Sequence, residues 1–169
     1  ENGTLCAWCG SMVAKKPVVK KLIADTYLAV IKKSVGTRMF QDIYALVNGK
    51  RENVTRGGEL SCAFFVSALL AMFGFIKECH GTVDATVDDL REAGWKRVKI
   101  PRPGDIVVWE KRDGHRHIGF SVGKDRAISN SSTKKYPVEH HGTFGSVQGK
   151  QKRRVEEIWR RVRIKQDRD

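Results

Sequence analysis

Cys62 is the residue whose type and position most clearly suggest chemistry. It follows the loop-forming pair Gly57-Gly58 and opens an apolar run that continues through Phe73, with Ser61 before it as a candidate N-cap. This pattern predicts a buried helix that begins at Cys62 and ends at about residue 75 or 76. The positive end of a helix dipole favours a thiolate, which is a nucleophile near neutral pH. The alternative is an inert core thiol, because free cysteine is often buried.

His117 is the candidate general base for this nucleophile. It opens the run His-Ile-Gly-Phe-Ser-Val-Gly at 117–123, which is predicted to be the second strand of a hairpin. A thiolate beside an imidazolium is the usual activated pair for acyl transfer, and the N–H of Cys62 at a helix start can help to hold an oxyanion. The alternative is a structural strand histidine, and His115 is set aside because it lies in the hairpin turn itself.

Helical patterns dominate the first half of the chain. Residues 1–16 show no periodicity and are predicted to be a tail or cap, whereas apolar residues recur at helical spacing over 18–33. A second helix is predicted over 37–48, between a Thr37 cap and the Asn48-Gly49 pair, and a polar loop then leads to Cys62. A shorter helix is predicted from Thr82 to Gly94.

Strand patterns dominate the second half. The turn at 101–105 precedes the β-branched run 106–109, and residues 112–115 form the hairpin. A third strand is predicted over 126–129, a loop over 134–152, and a closing strand over 157–164 with Ile158, Val162 and Ile164 in the core. Helices first and an antiparallel sheet second predict an α+β fold, in which the helix opened by Cys62 packs on the sheet.

Three segments in this order resemble a known family. They are Leu60-Ser61-Cys62-Ala63-Phe64-Phe65-Val66-Ser67, then Arg102-Pro103-Gly104-Asp105-Ile106-Val107-Val108-Trp109, then His117-Ile118-Gly119-Phe120-Ser121-Val122-Gly123. Together they resemble the NlpC-like and CHAP-like branch of papain-fold cysteine peptidases and amidases. The resemblance implies a papain-like fold in which Cys62 attacks an amide and His117 is its base.

The resemblance also implies a polar residue that orients His117 from the next strand. Asn130 occupies the position where the family places it, and His140 or His141 is the rival if the following loop folds inward. The implied organisation has 1–16 as a tail or cap, 17–50 as a helical N-terminal part of the same domain, and 51–169 as the catalytic core.

The charge of the chain predicts anionic partners. Its formal net charge is +13, and basic residues are dense near the carboxyl terminus. Arg161 and Arg163 are the candidate residues for binding a polyanion, and a solvated basic face is the alternative. This pattern keeps open a second function, that of a non-catalytic module that binds an envelope polymer or nucleic acid.

The remaining features set limits on the class of protein. No apolar run is long enough to cross a bilayer, and four cysteines are too few for a disulfide scaffold in 169 residues. Cys6 and Cys9 are left as a disulfide, half of a zinc site or two free thiols. Because the first residue is Glu1, a signal peptide, an anchor or another domain could precede it.

The sequence therefore predicts a cysteine peptidase or amidase that needs no cofactor or metal. The expected substrate is peptidoglycan or another amide-containing polymer, with an anionic envelope polymer as a further partner. We expect a monomer that is secreted or located in the cell envelope.

Overall fold

The computed structural model describes residues 18–162, which form three helices and a main antiparallel sheet, and the α+β prediction is confirmed. The helices are α1 (Ile23–Lys33), α2 (Cys62–Met72) and α3 (Val83–Glu92). The strands are β1 (Tyr44–Val47), β2 (Lys50–Asn53), β3 (Lys96–Arg97), β4 (Ile106–Arg112), β5 (His115–Gly123), β6 (Arg126–Asn130), β7 (Pro137–His141), β8 (Ser146–Val147), β9 (Lys150–Gln151) and β10 (Val155–Arg160).

Helix α2 is the centre of the core, as its apolar sequence predicts. Its residues Phe65, Val66 and Leu70 have no exposed surface. They belong to one cluster with Ile118 and Phe120 of β5, so α2 packs directly on the sheet. Ser61 lies at the N-cap but does not cap the helix, because its hydroxyl donates to Gly58 O at 3.2 Å instead.

The main sheet has the strand order β3-β10-β4-β5-β6-β7, and every neighbouring pair is antiparallel. The predicted hairpin at residues 112–115 is confirmed, with Asp113 and Gly114 at φ +50° and +83°. Alternate residues of a strand lie on opposite faces of a sheet. One face therefore carries Ile118 and Phe120 toward α2, and the other carries a smaller cluster that includes Trp109.

The second predicted helix is wrong, because residues 37–48 hold a strand rather than a helix. Strands β1 and β2 form a hairpin whose turn is Asn48-Gly49, at φ +50° and +77°. An Asn-Gly pair can end a helix or form a two-residue hairpin turn. Here the flanking segment contains Tyr44 and Val47, residue types that favour strands, and the hairpin forms.

Helices α1 and α3 follow their predicted patterns more closely. Helix α1 begins at Ile23, later than the predicted residue 18, and it buries Tyr27 and Ile31. In α3 the Thr82 side chain caps the helix by accepting from the N–H of Ala85, and Gly94 follows at φ +81°.

Two predictions fail in the last third of the chain. The loop expected over 134–152 contains β7 and the β8–β9 hairpin, because β7 is a polar edge strand without a strong apolar alternation. The closing strand ends at Arg160, and Val162 is 55% exposed rather than in the core. Ile158 is buried as predicted, while Arg163 and Ile164 lie outside the described residues. So do Cys6, Cys9 and the predicted tail at residues 1–16.

None of the helices in the described range 18–162 has the length and apolar character needed to cross a membrane.

Candidate active site

Cys62 is the first residue of α2 and is half-buried between the helix and the sheet. Burial raises the pKa of its thiol. Backbone hydrogen bonds from Ile118 and Ala63, together with the charge of Arg153, favour the thiolate and oppose this rise. The expected depression of the pKa at a helix start is therefore wrong for the resting site, because burial outweighs it. The resting group is a thiol.

His117 lies on the face of β5 that points away from α2. Its strand neighbour is Trp109 of β4, and the two ring centroids are 5.6 Å apart. Phe144 covers the ring from another side at 5.7 Å. Burial among these rings lowers the pKa of His117 to about 3, with smaller contributions from Arg153 and His140 in the same direction. His117 is therefore a neutral imidazole near pH 7.

Gly119, the glycine of the His-x-Gly motif, lies where no larger side chain fits. A Cβ at this position would lie 2.6 Å from the carbonyl oxygen of Ile128 and 2.7 Å from Ser129 Cβ. It would also press on the Trp109 ring at 3.1 Å. Only glycine lets β6 and the Trp109 ring come this close to the strand that carries His117.

A chain of hydrogen bonds holds the His117 ring. His117 Nε2 lies 2.8 Å from Ser129 Oγ, and the same hydroxyl lies 2.8 Å from His140 Nε2. His140 Nδ1 in turn lies 2.8 Å from the carbonyl oxygen of His141. Burial also lowers the pKa of His140, so both rings are neutral.

This chain fixes the tautomer of His117. A carbonyl oxygen only accepts, so His140 carries its proton on Nδ1 and accepts at Nε2. The Ser129 hydroxyl must then donate to His140 and accept from His117 Nε2–H. The lone pair of His117 is left on Nδ1, which is the nitrogen that can take a proton from a nucleophile.

The structure brings Cys62 to the strand that holds His117. Cys62 packs against the cluster that contains Ile118, the residue next to His117. No direct hydrogen bond joins the Cys62 thiol to the His117 ring, although both residues are within the described range. Bonds between a nucleophile and its base are often long without substrate and shorten only in the reactive complex.

Asn130 does not contact His117, which corrects its expected role. As the neighbour of Ser129 on β6 it points to the opposite face of the sheet. Its Nδ2 donates to Gly58 O at 2.7 Å, and its Oδ1 is buried without a partner. Asn130 therefore fixes the loop that leads to Cys62, and Ser129 is the residue that orients His117.

The other predicted histidines separate into two groups. His140 is part of the chain through Ser129, whereas exposed His141 bonds Thr143 Oγ1 at 2.9 Å. His115 is exposed at the start of β5. Of the two rival histidines, His140 therefore reaches His117 indirectly through Ser129, and His141 bonds Thr143 instead.

Arg153 and Phe144 are site residues that the sequence reasoning missed. Phe144 stacks on His140 with ring centroids 4.0 Å apart and has φ +59°, a strained conformation that is common at functional sites. Arg153 is half-buried, and its charge acts on both Cys62 and His117. Phe144 lies in the segment predicted to be a loop, and Arg153 lies between that segment and the predicted closing strand, where no motif marks them.

The predicted polyanion site is only partly described, since Arg163 lies outside the described range. The guanidinium of Arg161 lies 3.9 Å from the ring centroid of Phe75. Both residues line a cavity of about 750 Å³ whose lining includes neither Cys62 nor His117. Arg161 is therefore half-buried and apart from the candidate nucleophile.

Within residues 18–162, no three histidine, cysteine or acidic side chains are grouped as a metal would require. Cys79 is exposed, and the neighbouring His80 ring bonds Asp89 at 2.7 Å. A scan against protein-family models finds no match, and the search of curated proteins finds no match either.

Proposed function

We propose that this protein is a cysteine amidase or endopeptidase of papain-like architecture, related to the NlpC-like and CHAP-like enzymes. The observation that carries the proposal is the hydrogen-bond chain through Ser129. It leaves the unprotonated Nδ1 of His117 free on the strand against which Cys62 packs.

The reaction would begin from the neutral thiol and imidazole. Cys62 Sγ attacks the carbonyl carbon of the amide while its proton moves to His117 Nδ1, and a tetrahedral intermediate forms. The C–N bond then breaks, the leaving amine takes the proton from His117, and a thioester remains on Cys62. Water attacks the thioester, gives a proton to His117, and releases a carboxylic acid as the thiol is restored.

Groups near Cys62 and His117 can stabilise the imidazolium and the oxyanion that form during this reaction. The imidazolium that forms in the first step keeps its Nε2–H bond to Ser129, so the ring does not have to turn. Backbone N–H groups at the start of α2 are available for the developing oxyanion, and the Arg153 charge favours negative charge nearby. We place the substrate among peptidoglycan and other amide-containing envelope polymers, with action in the envelope or outside the cell.

The test uses purified cell walls followed by mass analysis of the products. The wild-type protein should release fragments that gain one water per bond cut, and Cys62→Ser should release none. Cys79→Ser is the matched control, because it removes an exposed thiol that lies outside the site. Hydrolysis by Cys62→Ser at even a tenth of the wild-type rate would exclude covalent catalysis by this cysteine.

A second candidate is a non-catalytic module that binds polyanions, and the net charge of +13 favours it. Such a module would bind cell walls or heparin equally well with Cys62→Ser and would cut nothing. The same set of variants therefore separates the two functions.

A further inference from the structure

Arg153 is held in place by hydrogen bonds to three backbone carbonyls. Its backbone N–H donates to Thr143 O at 3.1 Å, its Nε donates to Glu110 O at 3.1 Å, and its Nη2 donates to His115 O at 2.9 Å. Glu110 lies on β4 next to Trp109, His115 lies on β5 two residues before His117, and Thr143 lies between β7 and β8. The guanidinium is therefore part of the sheet framework and not a mobile surface group.

Among residues 18–162, Arg153 forms no ion pair within 4.0 Å, although the charges of Glu110 and Asp113 act on it from further away. The carboxylate of Glu110 is bound to Arg154 instead: Oε1 accepts from the backbone N–H of Arg154, and Oε2 lies 3.4 Å from Arg154 Nε. Both hydrogen bonds of the Arg153 side chain go to neutral carbonyl oxygens. A half-buried guanidinium without a carboxylate is costly unless an anion joins it.

The unused donors of Arg153 suit a carboxylate. Nη1 makes no hydrogen bond to the described residues, and Nη2 makes one. These N–H groups can hold two oxygens of a planar anion, which is the geometry that guanidinium groups favour. The guanidinium bonds His115 O on β5, the strand against which Cys62 packs, and its charge favours the Cys62 thiolate, so an anion bound here would be held on the same strand as the candidate site.

We propose that Arg153 forms an anion subsite of the active site and binds a substrate carboxylate next to the scissile amide. The proposal rests on the proposed function and narrows its substrate class to amides with a nearby free carboxylate. A peptide cut close to its carboxyl terminus, or beside an acidic residue, has this chemistry.

The test compares alkylation of Cys62 by iodoacetate and by iodoacetamide, which differ mainly in charge. In both reactions the sulfur displaces iodide, so no turnover of an amide is needed. Peptide mass spectrometry separates Cys62 from the exposed Cys79, which serves as the internal reference. The measured quantity is the iodoacetate-to-iodoacetamide rate ratio at Cys62 divided by the same ratio at Cys79.

We expect Arg153→Gln to lower this normalised ratio by roughly threefold to tenfold, as one charge at short range does in a partly screened site. Arg154→Gln is the matched control, because the adjacent arginine is 70% exposed and already pairs with Glu110. It should leave the ratio unchanged. An unchanged ratio in Arg153→Gln, or an equal fall in Arg154→Gln, would overturn the subsite.

A second measurement needs no variant. Raising the salt from about 0.02 M to about 0.5 M should lower the ratio at Cys62 more than at Cys79 in the wild-type protein, because the local charge is screened. An equal response at the two cysteines would also refute the proposal. If the ratio shifts as expected but no amide is hydrolysed, the subsite stands and the proposed function fails.

Discussion

The neutral state of His117 predicts how the stability of the protein depends on pH. In the unfolded chain this imidazole takes up a proton near pH 6.5, whereas in the folded protein it does so at a pKa of about 3. Between these values the unfolded state binds more protons than the folded state. The stabilising contribution is complete above pH 6.5 and is lost progressively as the pH falls toward 3.

The size of the effect follows from the two pKa values. Each pH unit below 6.5 costs about 1.4 kcal/mol for one proton, so a fall to pH 4.5 costs at most about 2.7 kcal/mol. Because the ring is only half-buried, we expect about 2 kcal/mol from His117 itself. His140 acts in the same direction, since burial lowers its pKa too.

The assay is the free energy of unfolding by urea at pH 7 and pH 4.5 for three proteins. Wild type should lose stability between the two pH values, and His117→Gln should lose about 2 kcal/mol less, because its amide still donates to Ser129 but does not titrate. His115→Gln is the control, as that side chain is exposed at the hairpin. It should match wild type.

An NMR titration of the imidazole signals measures the protonation state of His117 directly. The His117 ring should keep the chemical shifts of the neutral form from pH 7 down to pH 4.5. If it titrates near pH 6, the resting site holds an imidazolium, and the assignment of a neutral thiol and imidazole pair is wrong.

Three further predictions concern residues around this pair. Ser129→Ala should lower kcat by about 10-fold to 10³-fold with little change in KM, because the hydroxyl orients the base and does not bind substrate. A rise in KM as large as the fall in kcat would contradict this. Asn130→Ala should instead lower the free energy of unfolding by about 1–3 kcal/mol by removing the buried bond to Gly58, and kcat at a permissive temperature should fall less than in Ser129→Ala. Gly119→Ala should destabilise by more than about 3 kcal/mol in urea denaturation, since its Cβ would lie 2.6 Å from a backbone oxygen; a smaller loss would mean that β6 moves easily.

The helix that begins at Cys62 and the strand that carries His117 were both predictable, for one reason. Each is a dense apolar run with clear turn residues at its ends, so burial and local chemistry agree. The Asn48-Gly49 segment lacked that agreement. The same two residues end a helix or turn a hairpin, and the choice depends on contacts that the local pattern does not contain.

The orienting residue was missed by one position, and the cause is strand parity. Ser129 and Asn130 are adjacent, so one faces His117 and the other faces the loop before Cys62. Choosing between them requires the register of β5 against β6, in which Gly119 pairs with Ser129. An asparagine is the more familiar orienting group, but the face of the strand decides which side chain reaches the ring.

The arrangement of the two faces also explains where the site obtains its charge. Helix α2 brings Cys62 against the larger core cluster, while His117, Ser129 and His140 are joined by hydrogen bonds beside Trp109 of the smaller cluster. The rings that cover His117 are aromatic and neutral, so they cannot balance a negative charge on the Cys62 sulfur. A fixed cation is needed to do so. Arg153 lies just before β10, the strand that returns to the sheet beside β4. Among residues 18–162, Arg153 is the one cation that acts on both Cys62 and His117, and the chain brings it to the site after the β8–β9 hairpin. A change in that segment should therefore alter the reactivity of Cys62 without any change in α2.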